Sequence, residues 1–164
     1  MQDILTCAMG LDVHRDIIVA CLVKGAVDAE PEAETRTFST LIPEMQKLRD
    51  WVIESECRNI AMESTGIYWQ PIYEMLESCF DGEISILVVN ARHMKNVPGR
   101  KTDMKDAQWI ATLLRAGLLK GSFIPDKAFR ELRHLTRYRK SVVHDITAQK
   151  NRIDKFLQSS GFRF

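Results

Sequence analysis

The sequence predicts an α/β domain followed by a long helical arm. Three observations carry that reading. Short apolar, β-rich runs alternate with segments of helical spacing; the first two runs are joined by a hairpin signal; and a heptad-spaced apolar seam begins after Pro125.

Residues 4–13 read as a strand, and Val13-His14-Arg15-Asp16 as a tight turn into a second strand over residues 17–23. Residues 25–34 are acidic and loop-like, and Thr35-Arg36-Thr37-Phe38-Ser39 alternates as a third strand does. Pro43 marks a helix start, with Met45, Leu48, Trp51 and Val52 at helical spacing. A short buried strand follows over residues 59–62, then a helix over 67–79 and an apolar strand over 84–89. Residues 90–100 form a basic loop broken by Pro98-Gly99. Thr102 is placed to cap a helix that runs through Asp106, Ile110 and Leu113-Leu114 to a stop at Gly117. The order is βββαβαβα.

From Lys127 onward, Leu132, Arg139, Ile146 and Ile153 take heptad position a, and Leu135, Val142, Gln149 and Phe156 take position d. Six of these eight positions are apolar, so a coiled-coil-like helix with a packing seam is expected. The division is residues 1–125 as the α/β domain and 126–164 as a basic helical arm. A helix followed by so little further chain is read as an arm for dimerisation, or as the start of a region cut off before a further domain.

The 164 residues are 45% hydrophobic, which suits one domain with a real core and excludes disorder. A net charge of +1 conceals an asymmetry: residues 1–89 carry 6 Lys/Arg against 16 Asp/Glu, and residues 90–164 carry 17 against 6. An acidic half beside a basic half fits a protein that places carboxylates near nucleic-acid phosphates. The competing view is a basic face that is merely solvated. Cys7, Cys21, Cys57 and Cys79 show neither CxxC pairing nor zinc spacing and are expected as buried, reduced thiols. A cytoplasmic protein without a membrane association is expected, because the N-terminus lacks a basic signal region and apolar stretches are broken by charge.

Four carboxylates organise the chemistry. Asp12 ends the first apolar run, Glu63 ends a later one, and Asp103 and Asp106 lie three residues apart at a helix start. Magnesium and manganese take oxygen donors, and a two-metal phosphodiester site needs several acids from distant segments. Each acid has a plainer reading. Asp12 is equally a turn acid, Glu63 a helix cap, and Asp103 and Asp106 acids favoured by a helix dipole. Their conjunction points to Mg2+ or Mn2+. Arg92, Lys95, Arg100, Lys101 and Lys105 surround the last pair, as cations holding a phosphate backbone or as a solvated loop. His14, His93, His134 and His144 are scattered, no Walker or dinucleotide loop occurs, and Trp51, Trp69 and Trp109 read as core.

Four motifs occur in order: Gly10-Leu11-Asp12-Val13-His14, Met62-Glu63-Ser64-Thr65-Gly66-Ile67-Tyr68, Val89-Asn90-Ala91-Arg92, and Gly99-Arg100-Lys101-Thr102-Asp103-Met104-Lys105-Asp106-Ala107. In these the sequence resembles the N-terminal domain of the DEDD insertion-sequence transposases, which include bridge-RNA-guided recombinases and are related to Piv-type DNA invertases. The resemblance implies a ribonuclease H-like (RuvC-like) mixed sheet flanked by helices. It implies a transposase or site-specific recombinase that cleaves and transfers DNA strands with Mg2+. Asp12, Glu63, Asp103 and Asp106 correspond to that family's acidic, magnesium-binding tetrad. DNA, a guide (bridge) RNA and further copies of the chain, as a homodimer or higher homo-oligomer, are the implied partners. The family also carries a serine nucleophile on a C-terminal domain, and no serine here matches it, so the chain reads as the N-terminal part of a longer transposase. A nucleic-acid-binding and dimerisation module, inactive alone, is the alternative. Actin-like ATPases share the opening Gly-x-Asp hairpin, but Val13-His14-Arg15 stands where they hold phosphate with small residues.

Overall fold

The computed structural model describes residues 3–63, 66–80, 82–90 and 106–162. In chain order the elements are β1 (Cys7–Val13), β2 (Ile17–Lys24), β3 (Glu32–Ser39), α1 (Ile42–Glu54), β4 (Asn59–Glu63), α2 (Trp69–Phe80), β5 (Ser85–Val89), α3 (Asp106–Arg115) and α4 (Lys127–Ser159). The chain divides into two compact units, Met1–Ser122 and Phe123–Phe164.

The five strands form one mixed sheet in the order β3-β2-β1-β4-β5. Connections without a helix, over residues 14–16 and 25–31, make β1–β2 and β2–β3 antiparallel, whereas the helical crossovers make β1–β4 and β4–β5 parallel. This is the ribonuclease H-like arrangement, with β1 at the centre. Its central place explains the burial of β1, in which only Cys7 is partly exposed.

A strand sends alternate side chains to opposite faces, so the residues of β1 fall into two sets. Val13, Ile18 and Phe38 align across β1, β2 and β3 and share a face with Met9 and Leu11. Phe38 meets Trp51 of α1 at a ring separation of 6.1 Å, which places α1 on that face. The guanidinium of Arg36 lies 4.4 Å from the same Trp51 ring. Pro43 in the first turn starts α1, and Met45, Leu48, Trp51 and Val52 form its buried stripe.

The other face carries Ala8, Gly10 and Asp12. Ala8 and Ala61 pack with Val89, Ile110 and Leu114, and Cys21 and Val23 pack with Ala107 and Ala111, so α3 covers this face. The approach is close enough to require glycine at position 10, where a Cβ would overlap the Ala107 carbonyl and the Ala111 amide. Gly117 closes α3 in a left-handed conformation at φ +67°, its amide bonding Leu114 O at 2.9 Å.

Strand boundaries differ modestly from expectation. β1 begins at Cys7 rather than residue 4, because the amides of Ile4 and Leu5 both bond the Arg115 carbonyl instead of a strand. β3 begins at Glu32, since its edge position tolerates exposed acids that read as loop. Cys21 and Cys57 are buried as expected, but Cys7 is partly exposed and Cys79 is exposed. Trp51 is core, whereas Trp69 and Trp109 are only half-buried, Trp69 standing edge-on to Tyr73 at 5.6 Å. Among the described residues no helix is long and apolar enough to cross a membrane.

Candidate metal and nucleic-acid site

Strand register brings the first two carboxylates together. Met9, Gly10 and Leu11 pair with Ile60, Ala61 and Met62 in parallel. One step further along both strands lie Asp12 and Glu63, level with each other on the face that α3 covers. Their sheet neighbours on that face are Val19 beside Asp12 and Val89 beside Glu63.

The third carboxylate reaches the same end by helix direction. Gly10 lies under Ala107 and Ala111, whereas the Leu5 amide bonds the Arg115 carbonyl at 3.1 Å. Helix α3 therefore runs opposite to β1, and Asp106 opens it at the strand end that carries Asp12. An acid in the first turn also faces the positive end of the helix dipole. Asp103 lies outside the described residues, as do Arg92, Lys95, Arg100, Lys101 and Lys105, the proposed cap Thr102, and His93.

Asp12 is only 9% exposed, and its Oδ2 lies 3.1 Å from Nε2 of His14. Both side chains occupy one side of the strand end because they are two residues apart. The His14 amide also bonds the Ile17 carbonyl at 2.9 Å, so the hairpin turn holds the imidazole at the acid. Sequence reading left His14 among scattered histidines; the available signal was its i, i+2 spacing from an acid at a strand end. Glu63 is half-buried and Asp106 exposed.

The donor set is carboxylate oxygen, the chemistry that Mg2+ and Mn2+ accept. A nearly buried Asp12 with an imidazole on one oxygen fits such a ligand, since burying an uncompensated carboxylate is costly. Among the described residues no group of three or more His, Cys, Asp or Glu side chains is close enough to hold an ion by itself.

The opposite end of α3 is anchored by Arg115, which is 1% exposed. Its Nε donates to Leu5 O at 2.9 Å, and its Nη2 donates to Gly25 O and Ala26 O at 3.1 and 2.6 Å. Asp3 supplies a carboxylate 3.2 Å away. Charge-assisted bonds of this kind are among the stronger ones, and they tie the helix to both ends of the β1–β2 hairpin.

A profile of the IS110 DEDD transposase family, described as Transposase, matches residues 9–161. The chain belongs to this family. The match spans the strands of the acidic face, α3 and all of α4. No curated protein gives a significant match. Among solved structures the transposase domain is similar to RuvC of Thermus thermophilus, at 12% identity and a TM-score of 0.48, over 71% of this chain and 99% of that one. A second similar structure is T. thermophilus RuvC in complex with Holliday junction substrate, at 12% identity and a TM-score of 0.49, over 72% and 100%.

Proposed function

We propose that this chain is the metal-dependent part of a transposase that cleaves and transfers DNA strands, with Asp12, Glu63, Asp103 and Asp106 as ligands of Mg2+ or Mn2+. One observation carries the reading: the β1–β4 register puts Asp12 level with Glu63 on the face where Asp106 opens α3. Bound there, the ion supplies a Lewis acid for a phosphodiester oxygen and a nucleophile at neutral pH. His14 fixes the orientation of the Asp12 carboxylate. Arg92, Lys95, Arg100, Lys101 and Lys105 hold the DNA or guide RNA backbone beside the acids. The apolar seam of α4 joins two copies into a homodimer.

The test is Mn2+ binding followed by electron paramagnetic resonance, alongside Mg2+-dependent nicking of supercoiled DNA. The intact chain should take up Mn2+, and Asp12→Asn or Glu63→Gln should weaken uptake by about tenfold or more, since each removes a charged oxygen ligand. Equal Mn2+ affinity in the parent and Asp12→Asn chains would sink the metal-site reading.

The binding-module reading draws on the basic, 33-residue α4. It expects DNA or RNA binding that Asp12→Asn leaves unchanged, without metal uptake.

A further inference from the structure

Helix α4 exposes an apolar stripe: Leu132, Leu135, Ile146, Ile153 and Phe156 are each more than half exposed, and Val142 is 37% exposed. A stripe of this length on a 33-residue helix is a pairing surface. Two seam positions are polar, Arg139 at a and Gln149 at d. Their placement decides the orientation of a pair. In a parallel pair like positions meet, so Arg139 faces its own copy and two guanidinium groups share the seam. In an antiparallel pair a faces d, and with the dyad near His144 the facing residues are Leu132 with Phe156, Leu135 with Ile153, Arg139 with Gln149, and Val142 with Ile146. Every apolar position then meets an apolar one, and the only two polar positions meet each other, guanidinium donor to amide oxygen.

A second observation points the same way. The foot of α4 bears an apolar hollow of about 550 Å3 lined by Phe123, Pro125, Phe129, Leu132, Arg133 and Thr136. The antiparallel register brings Phe156, 71% exposed, to Leu132 in this hollow, with Leu157 beside Phe129. A parallel register sets hollow against hollow and Phe156 against Phe156. Arg133, Arg137, Lys140 and Lys155 fall outside the seam and stay available to phosphate. The arrangement has one opposing feature, Asp145 near its own copy at the dyad, on the exposed flank where like charges are screened.

We propose that α4 pairs with a second copy of itself antiparallel, in this register. The proposal rests on the homodimer reading above, and the experiment separates the two. Gln149 is exposed, so Gln149→Glu leaves the helix intact while changing the seam charge. An antiparallel pair gains two contacts between Arg139 and the introduced carboxylate, and its dissociation constant by sedimentation should fall about threefold or more. A parallel pair sets that carboxylate against its own copy and weakens. Independently, 164-residue Leu135→Cys and Ile153→Cys chains are mixed, oxidised with glutathione disulfide, and the joined peptides identified by mass. A 135–153 disulfide supports the proposal, since the two copies of residue 135 are then about 27 Å apart along the axis. A 135–135 disulfide, with weaker pairing by Gln149→Glu, overturns the orientation and keeps the dimer. A parent chain that stays monomeric at every concentration overturns both.

Discussion

Single side chains show where local chemistry is tuned. Cys7 on β1 and Cys57 before β4 share a hydrogen bond that holds the Cys7 thiol down from 9.0 to about 7, assisted by the cations of Lys24 and Arg115 against an opposing effect of burial. The same bond, with burial, pushes Cys57 up. Between about pH 7 and pH 9 the unfolded chain therefore holds a Cys7 proton that the folded chain has lost, and stability rises with pH across that window. Below about 7 the Cys7 contribution is lost, and above 9.0 the still-protonated Cys57 reverses the slope. Iodoacetamide labelling of Cys7, resolved by peptide mass, should have its midpoint near pH 7, and Cys57→Ala should move it upward. An unmoved midpoint would show that the neighbouring thiol is not the cause. None of this was legible in the sequence, where the two cysteines stand fifty residues apart with no motif between them. Arg115 escaped for the same reason, since its partners come from a distant segment folded against α3, whereas the partner of His14 stands only two residues before it.

At the scale of elements, order was legible and faces were not. Hydrophobic period and turn residues act within a few positions, so Pro43, Gly117 and the apolar runs mark helices and strands directly. The pairing of β1 with β4 is non-local, and it alone sets Asp12 level with Glu63. Their candidacy was readable from their types and places; their adjacency required the fold. Gly10 links the two levels, because its missing side chain lets α3 settle on β1 and sets the position of Asp106. Gly10→Ala forces helix backbone away from the sheet, and overpacking of this kind costs about 1–3 kcal/mol. The expected result is a lower urea midpoint together with weaker Mn2+ binding. Full Mn2+ affinity in a Gly10→Ala chain of undiminished stability would mean that α3 does not depend on this close approach.

Across the whole molecule, charge is divided along the chain: residues 1–89 hold 16 Asp/Glu against 6 Lys/Arg, and residues 90–164 hold 17 Lys/Arg against 6 Asp/Glu. The acidic half contains Asp12 and Glu63, and the basic half begins with the sequence that leads to Asp103 and Asp106. Carboxylates alone repel a polyanion, so a protein that brings DNA to such acids must supply cations beside them. Each phosphate neutralised by Lys or Arg releases condensed counterions, and for B-DNA log affinity falls with log salt at a slope of roughly −0.9 per contact. Duplex binding should therefore weaken steeply as salt rises. Replacing Arg100 and Lys101 with alanine should flatten the slope by about 1–2 if both touch phosphate. Exposed seam substitutions such as Gln149→Glu should leave it nearly unchanged. Fluorescence anisotropy of a labelled duplex across a salt series measures all three slopes. Identical slopes for the parent and the Arg100→Ala, Lys101→Ala chain would remove these two cations from the DNA path and leave basic α4 to make the phosphate contacts, and salt-independent binding would exclude both surfaces.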